Sequence, residues 1–427
     1  MTRKVAFCMV VIAVFGAVGL FATSSTEEPS GDVTLTVWDF KYGEVTNSQI
    51  PMMEIDQLFM EQHPGVTIDH VGQPNDTYYQ LIQAAAAAND GPDVAMFHPG
   101  ARAWGFGDIL VDLRPYVGDV VNQFTDQSIQ MVSQDGILGE PITLLPITMQ
   151  GFGFYYDRDY FRQAGLDPDT PPTTAAEFLT ACEQLSAAGI VPIVVGQTYT
   201  IDFILRALVA NAYGPNVPGL ADGSESFNDP RFREIVAFVK TLVDEGYLEP
   251  AGFSRPYFMD AIDTYAAGGG GMFAGLLSDV GNWKAFSDGL GTENVGYFPT
   301  INFPGGTYTD VQVAQGAGIG YGVMTWSRHQ DLAAQYVEFY TTGEGARIFA
   351  SFTGALSPNT AVTGLEEGYP VLATIQDYLK GTLAVDYIQL FYNGYEDDSN
   401  RLCDQFFVTG EITIDQFITE YQRLISN

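Results

Sequence analysis

Basic residues are scarce in this chain: five lysines (Lys4, Lys41, Lys240, Lys284, Lys380) contribute to a total of 18 Lys plus Arg, set against 52 Asp plus Glu. The resulting formal charge of −34 excludes nucleic acid as a partner, because phosphate binding depends on Lys and Arg, and an anionic membrane would repel the chain as well. The carboxylates form no long acidic block, so they describe a solvated acidic surface suited to a salty habitat. Cysteine is nearly absent (Cys8, Cys182, Cys403), which rules out a disulfide scaffold and a cysteine zinc site. The four histidines (His63, His70, His98, His329) include no pair at metal-ligand spacing on one helix. No G-x-S-x-G or H-E-x-x-H motif occurs, and "DPDTPPTTAAEF" lacks the glycine and glutamate of a calcium loop. The run Gly268–Gly271 in "YAAGGGGMFAGLLSDVGNW" has neither a following Lys-Ser/Thr nor G-x-G-x-x-G spacing, so it is no phosphate cradle. No metal, no cofactor and no nucleotide are therefore expected.

What is present is apolar residue, 46% of 427, enough for the two cores that a chain of this length calls for. Residues 1–25 begin with Arg3 and Lys4, continue as an apolar run from Val5 to Ala22 and end in small residues, the order of a secretory signal. Cleavage near Ala22 is the reading taken; a retained anchor is the alternative, and no cysteine follows the run for lipid attachment. An exported chain keeps Cys182 and Cys403, either as one disulfide or as two separate thiols. The segment "DVTLTVWDF" alternates as a strand, "IPMMEIDQLFMEQHPG" carries a helical stripe with a Pro-Gly stop, "VTIDHV" and "GPDVAMFH" are further strands, and "DTYYQLIQAAAAAND" is a helix between them. Strands and helices alternating in this way predict parallel pairing and an α/β fold, with ligands in the crevice beyond the strands' carboxyl ends. Further on, "ITLLPITMQGFGFYYD" is an extended crossing, Thr173 or Thr174 caps the helix "AAEFLTACEQLSAAG", and Asp229–Leu248 is helical.

The run "YYDRDYFRQAGLDPDTPPTTAAEF" resembles the segment after the first hinge in the sugar-binding class of extracytoplasmic solute-binding proteins of ABC transporters, the maltose-binding-protein-like family. "LFMEQHPGVTIDHV", "GPDVAMFH", "ILVDLRPYV" and "AGIGYGVMTWSRHQDLAAQYVEFYTTGEGARIFASFTGALSPNTAV" resemble that family in the same order. The resemblance implies a two-lobe, type II periplasmic binding protein fold with the ligand cleft between lobes joined by hinge crossings. The first lobe would take 33–148 plus 315–357, the second 149–313 plus 370–427, after a signal peptide at 1–22. It also implies a monomer, periplasmic or extracellular, that captures a sugar or oligosaccharide and delivers it to a membrane permease; membrane association is the alternative, and the leader departs from many relatives in lacking a lipid-attachment cysteine. It implies no enzyme activity.

A sugar needs flat apolar faces and planar polar edges. Trp38, Tyr42 and Trp283 are candidates for the faces, Trp283 through a Gly-x-Trp turn at the cleft that leaves Gly268–Gly271 as a flexible turn. Asp39, His98, Gln150, Asp202, Asp279, Asn282 and Gln315 are candidates for the edges. Blander roles stand beside these: core packing for the tryptophans, a cap or solvent exposure for His98, a helix N-cap for Asp202, and strand packing around Gln315. The functional alternatives are a secreted glycoside hydrolase, whose two carboxyl groups are spaced by fold and not by sequence, and a binder of a polyol or compatible solute.

Overall fold

In the computed structural model, residues 32–42, 48–74, 77–277, 282–303, 313–365, 369–379, 383–392 and 394–425 are described. The signal expected at 1–22 lies outside them, as do Asp279 and the side chain of Gln315. Among the described residues no helix is long and apolar enough to cross a membrane.

Eleven strands among these residues form two sheets. The first has the order β2-β1-β3-β10-β4: β1 (Val33–Asp39), β2 (Val66–Gly72), β3 (Val94–Phe97), β4 (Leu145–Pro146) and β10 (Gly320–Val323). In β1 the apolar positions Val33, Leu35 and Val37 are buried while Thr34 is exposed, as alternation dictates. β1 pairs in parallel with both β2 and β3, the two crossovers being helices Gln49–Gln62 and Tyr78–Ala88. β3 is buried at all four positions because it lies in mid-sheet.

The second sheet has the order β11-β9-β5-β7-β6, with β8 also paired to β5: β5 (Met149–Asp157), β6 (Ile193–Val194), β7 (Met272–Leu276), β8 (Val295–Phe298), β9 (Val313–Ala317) and β11 (Leu383–Val385). β5 pairs with β9 over Met149–Gly151 and with β7 and β8 beyond, so the strand leaves the crossing and becomes the centre of this sheet. The return crossing runs from β9 through Gly318 into β10, and the boundary expected at Gln315 therefore falls inside β9. Glycine is required there: a Cβ on Gly318 would sit 2.5 Å from Thr148 Oγ1, and one on Gly320 would sit 2.7 Å from the Leu145 carbonyl.

Each sheet has its own core. Helices Gln330–Thr341 and Gly343–Thr353 pack on the first, whereas Tyr387, Tyr395, Phe417 and Tyr421 join the second, with Ile204, Phe227 and Phe232. Cys182 and Cys403 are both buried in that second core as free thiols. Thr174 caps helix Ala175–Ala187 through a capping box with Glu177.

The tetraglycine run departs from the flexible turn expected of it. Gly268 has a φ of +80°, but a Cβ on Gly269 would approach the Thr264 carbonyl to 2.7 Å, on Gly270 the Val191 carbonyl to 2.8 Å, and on Gly271 the Leu185 side chain to 2.8 Å. Gly269 and Gly270 admit backbone against backbone, and Gly271 admits the Leu185 side chain, where the chain enters β7.

Candidate functional site

The carboxyl ends of β1 and β3 lie side by side, and the residues that follow them form a rim. Asp39 ends β1 and is followed by Phe40, Lys41 and Tyr42; His98 follows β3. The His98 ring stacks on Phe40 with centroids 4.6 Å apart and planes at 12°, and Tyr42 stacks on His70 at 4.2 Å and 16°. His98 Nδ1 is 2.8 Å from the Tyr79 hydroxyl, which also accepts the His98 amide at 3.0 Å. Burial pushes that phenol up to about 12, opposed by the His98 amide and by Arg102, whose guanidinium sits 5.1 Å over the ring. Trp38, Tyr42 and His98 are each half-buried.

Asp39 is turned inward and not toward a ligand. It is 0% exposed. One carboxylate oxygen accepts the amides of Lys41 and Tyr42, and the other accepts the Tyr321 hydroxyl. A short acid at a strand end satisfies the orphan amides of its own turn, and the buried tyrosine and histidine fix it there.

On the second unit, Gln150 is half-buried in β5 and its Nε2 donates to Asp386 Oδ2 at 3.4 Å. Asp386 in turn accepts Arg206 Nη1 at 3.2 Å. Asp202 is likewise a correction to the ligand-edge and N-cap readings: Thr198 holds the N-cap position of helix Tyr199–Tyr213, while Asp202 is 0% exposed with Oδ2 2.7 Å from Arg206 Nε. Arg206 also reaches Glu396 at 2.5 Å and lies 4.7 Å over the Phe152 ring. Burial raises the Asp202 carboxyl above its ordinary range; Arg206 opposes the shift, and Glu396 and Asp386 add to it.

Trp283 offers no open face. It lies in helix Asn282–Leu290, is 3% exposed, donates its indole N–H to the Gly354 carbonyl at 2.6 Å and meets Tyr369 edge-on at 5.0 Å. Trp283 is thus packed into the core instead of facing an open cleft as expected, while Gly281 of the expected Gly-x-Trp turn lies outside the described residues. Asn282 is fully buried, and neither of its amide atoms has a hydrogen-bond partner among the described residues.

The units touch beside the rim. The turn Tyr387–Leu390 contacts helix Ala101–Trp104, and Leu390 packs against both cores. Beyond the carboxyl end of β6 lies a polar cavity of ≈ 310 Å³ lined by Gln197, Thr198, Tyr199, Phe253, Asp397 and Asn400. Gln197 holds a φ of +56° there, strained for a residue other than glycine. Sequence reasoning missed this segment, although Gly196-Gln197 between a strand and a helix marks a turn. A roomier groove of ≈ 950 Å³, lined in part by Thr125, Met149 and Asn359, sits at the amino end of β5, where the strand-end rule does not place a ligand.

The model of the bacterial extracellular solute-binding proteins matches residues 43–347. The chain belongs to that family. A binding protein of Brucella abortus (strain 2308) is 22% identical over 235 residues, 52% of this chain and 52% of its own length, so the chain spans about half the length of the curated relatives it matches. A chitin oligosaccharide binding protein superposes with a TM-score of 0.78 at 20% identity, over 92% of this chain and 98% of its own. Maltose-bound T. maritima MalE3 gives 0.74 at 18% identity, over 92% and 99%. RafE in complex with raffinose gives 0.72 at 18%, over 92% and 98%. At these identities the likeness carries the fold: this solute-binding protein has the two-lobe α/β architecture, with β5 and the β9–β10 passage as its crossings.

Proposed function

We propose that this solute-binding protein captures a sugar or oligosaccharide outside the cytoplasm and delivers it, chemically unchanged, to the permease of an ABC transporter. The observation that carries the reading is the pair of half-buried residues Tyr42 and His98, whose rings are each held flat against a second ring at the carboxyl ends of adjacent strands. Such rings present fixed apolar faces to the C–H side of a sugar at little entropic cost. Trp38 adds a third half-buried aromatic residue, Gln150 supplies an amide from the crossing strand, and the polar cavity at Gln197–Tyr199 is the surface we assign to the second lobe's side of the site. Neighbours of the same fold carry chitin oligosaccharide, maltose and raffinose in their names, which supports the ligand class. Ligand bridging the lobes shifts the open and closed populations toward closed, and the closed form docks on the permease.

The test is thermal unfolding of the purified protein against maltose, raffinose, chitin oligosaccharides and simple polyols. A ligand at about a hundred times its dissociation constant stabilises by roughly 2.7 kcal/mol, a clear rise in midpoint. A sugar that raises the midpoint and is recovered intact upholds the reading. A sugar recovered cleaved would instead support a hydrolase, and a panel with no shift would remove the sugar assignment.

A further inference from the structure

Directly beneath the rim lies a buried charge cluster whose use the capture of a ligand does not by itself explain. His70 stands opposite Val37 in the pairing of β2 with β1, and its side chain is 2% exposed. Its Nδ1 is 2.8 Å from Asp56 Oδ2, while Nε2 is 3.5 Å from Asp39 Oδ2 and 3.2 Å from the Tyr321 hydroxyl. The Tyr336 hydroxyl donates to the other oxygen of Asp56 at 2.5 Å. An imidazole with a carboxylate toward each nitrogen is matched by two N–H groups, and a neutral ring has only one. The ring that fits is the imidazolium.

The groups facing His70 come from every element around it: Asp39 from the end of β1, Asp56 from helix Gln49–Gln62, Tyr321 from β10 and Tyr42 from the rim, with Tyr336 and Tyr340 of helix Gln330–Thr341 packed behind them. Burial pushes the His70 imidazole down, but its hydrogen bonds to Asp39 and Asp56 and the charges of both acids together raise it to about 9. The four tyrosines are all raised above the ordinary phenol value, first of all by burial, so they do not titrate ahead of it. The cluster is wired to the surface at two points. Asp39 holds the amides of Lys41 and Tyr42, and the Tyr42 ring lies on the imidazole itself.

We infer that His70 is a positioning residue for the ligand rim: its imidazolium fixes the Asp39 turn and the Tyr42 ring, and loss of its proton slackens that rim and weakens ligand binding at alkaline pH. The inference rests on the sugar-capture reading for its ligand, though not for the state of the rim. When the proton leaves for solvent, two buried carboxylates face one another across a neutral ring, one N–H is gone, and the tie between Asp39 and its turn loses its counter-charge.

Two measurements decide it. In the ligand-free protein, imidazole ¹⁵N shifts are followed from neutral pH upward by NMR together with the Tyr42 ring signals. The expected result is a doubly protonated His70 up to about pH 9, with Tyr42 moving at the same midpoint. A neutral His70 at pH 7, or a Tyr42 indifferent to its titration, overturns the inference. Next, affinities for maltose, raffinose and chitin oligosaccharides are compared on either side of that midpoint. Wild type should weaken by about tenfold, within the usual range of such coupling, whereas His70→Gln should be weak throughout with a flat profile. An equal alkaline loss in His70→Gln overturns the inference. If His70→Gln does not fold, Tyr42→Ala takes its place, with the same weak, flat profile expected and an alkaline loss as large as wild type counting against the inference. If no sugar binds at neutral pH, the sugar reading fails while the NMR titration still decides the state of the rim.

Discussion

Both lobes bury a basic side chain among carboxylates, and they do it differently. In the first lobe His70 sits between Asp39 and Asp56, and each acid is further bonded by a tyrosine hydroxyl. In the second lobe Arg206 is shared by Asp202, Asp386 and Glu396; Asp386 is bonded further by Gln150 and the Ile388 amide, whereas Asp202 Oδ1 has no hydrogen-bond partner among the described residues. The first arrangement draws its order from the partners of the cation and raises the cation's affinity for a proton. The second has two equally buried acids on one guanidinium but no tyrosine hydroxyl completing Asp202, and burial raises the carboxyls of Asp202 and Asp386. The difference shows that a buried ion cluster is tuned by what completes its hydrogen bonds as much as by its charge count.

Breaking the second cluster should have the largest effect. Arg206→Met strands Asp202 and Asp386 in the core and should cost about 3–5 kcal/mol in denaturant unfolding at neutral pH. The deficit should shrink in acid, where the carboxyls take up protons. A loss under about 1 kcal/mol would mean that the cluster is hydrated and not buried.

Breaking the first should cost less and in a narrower pH range. A histidine raised from its ordinary value to about 9 contributes stability that is fully present below the unfolded value and is lost as pH rises through about 9. His70→Gln should therefore lose roughly 2 kcal/mol near neutrality, and the gap to wild type should close above that midpoint. A gap that stays constant with pH would contradict an imidazolium at this position.

Asp202→Asn sharpens the comparison. An acid whose folded value is raised binds more protons folded than unfolded, so its contribution falls as pH rises out of the ordinary carboxylate range. The stability of wild type should thus decline across weakly acidic pH toward neutrality, and that decline should flatten in Asp202→Asn. An unchanged slope would place the protonation elsewhere. The smallest effect belongs to an exposed pair taken as reference: Arg162→Ala, which removes a bond to the exposed Asp159, should cost about 0–1 kcal/mol and lose even that in high salt.

These contrasts also mark how far the sequence could be read. The alternation of Val33, Leu35 and Val37, the capping box at Thr174 and the Pro-Gly stop after helix Gln49–Gln62 are local signals, and each lies where its pattern placed it. The ion clusters are not local. Tyr321 lies 282 positions from the Asp39 it bonds, and no spacing rule joins them. Asp202 was open to a capping role only because its neighbours forward are helical; Thr198, one turn earlier, holds the cap position, and the burial of Asp202 depends on Arg206 and Asp386 from distant segments. Trp283 and the tetraglycine run misled in the same way, since a residue that suits a surface turn also suits a tight core contact, and only the packing around it decides.

The central claim is that a sugar is held between two lobes that close on it. Small-angle X-ray scattering of the purified protein, with and without saturating amounts of the sugar that raises its melting midpoint, tests this most directly. A smaller radius of gyration in the loaded protein, with the sugar recovered intact, is the predicted result; a radius unchanged at full occupancy would contradict the account.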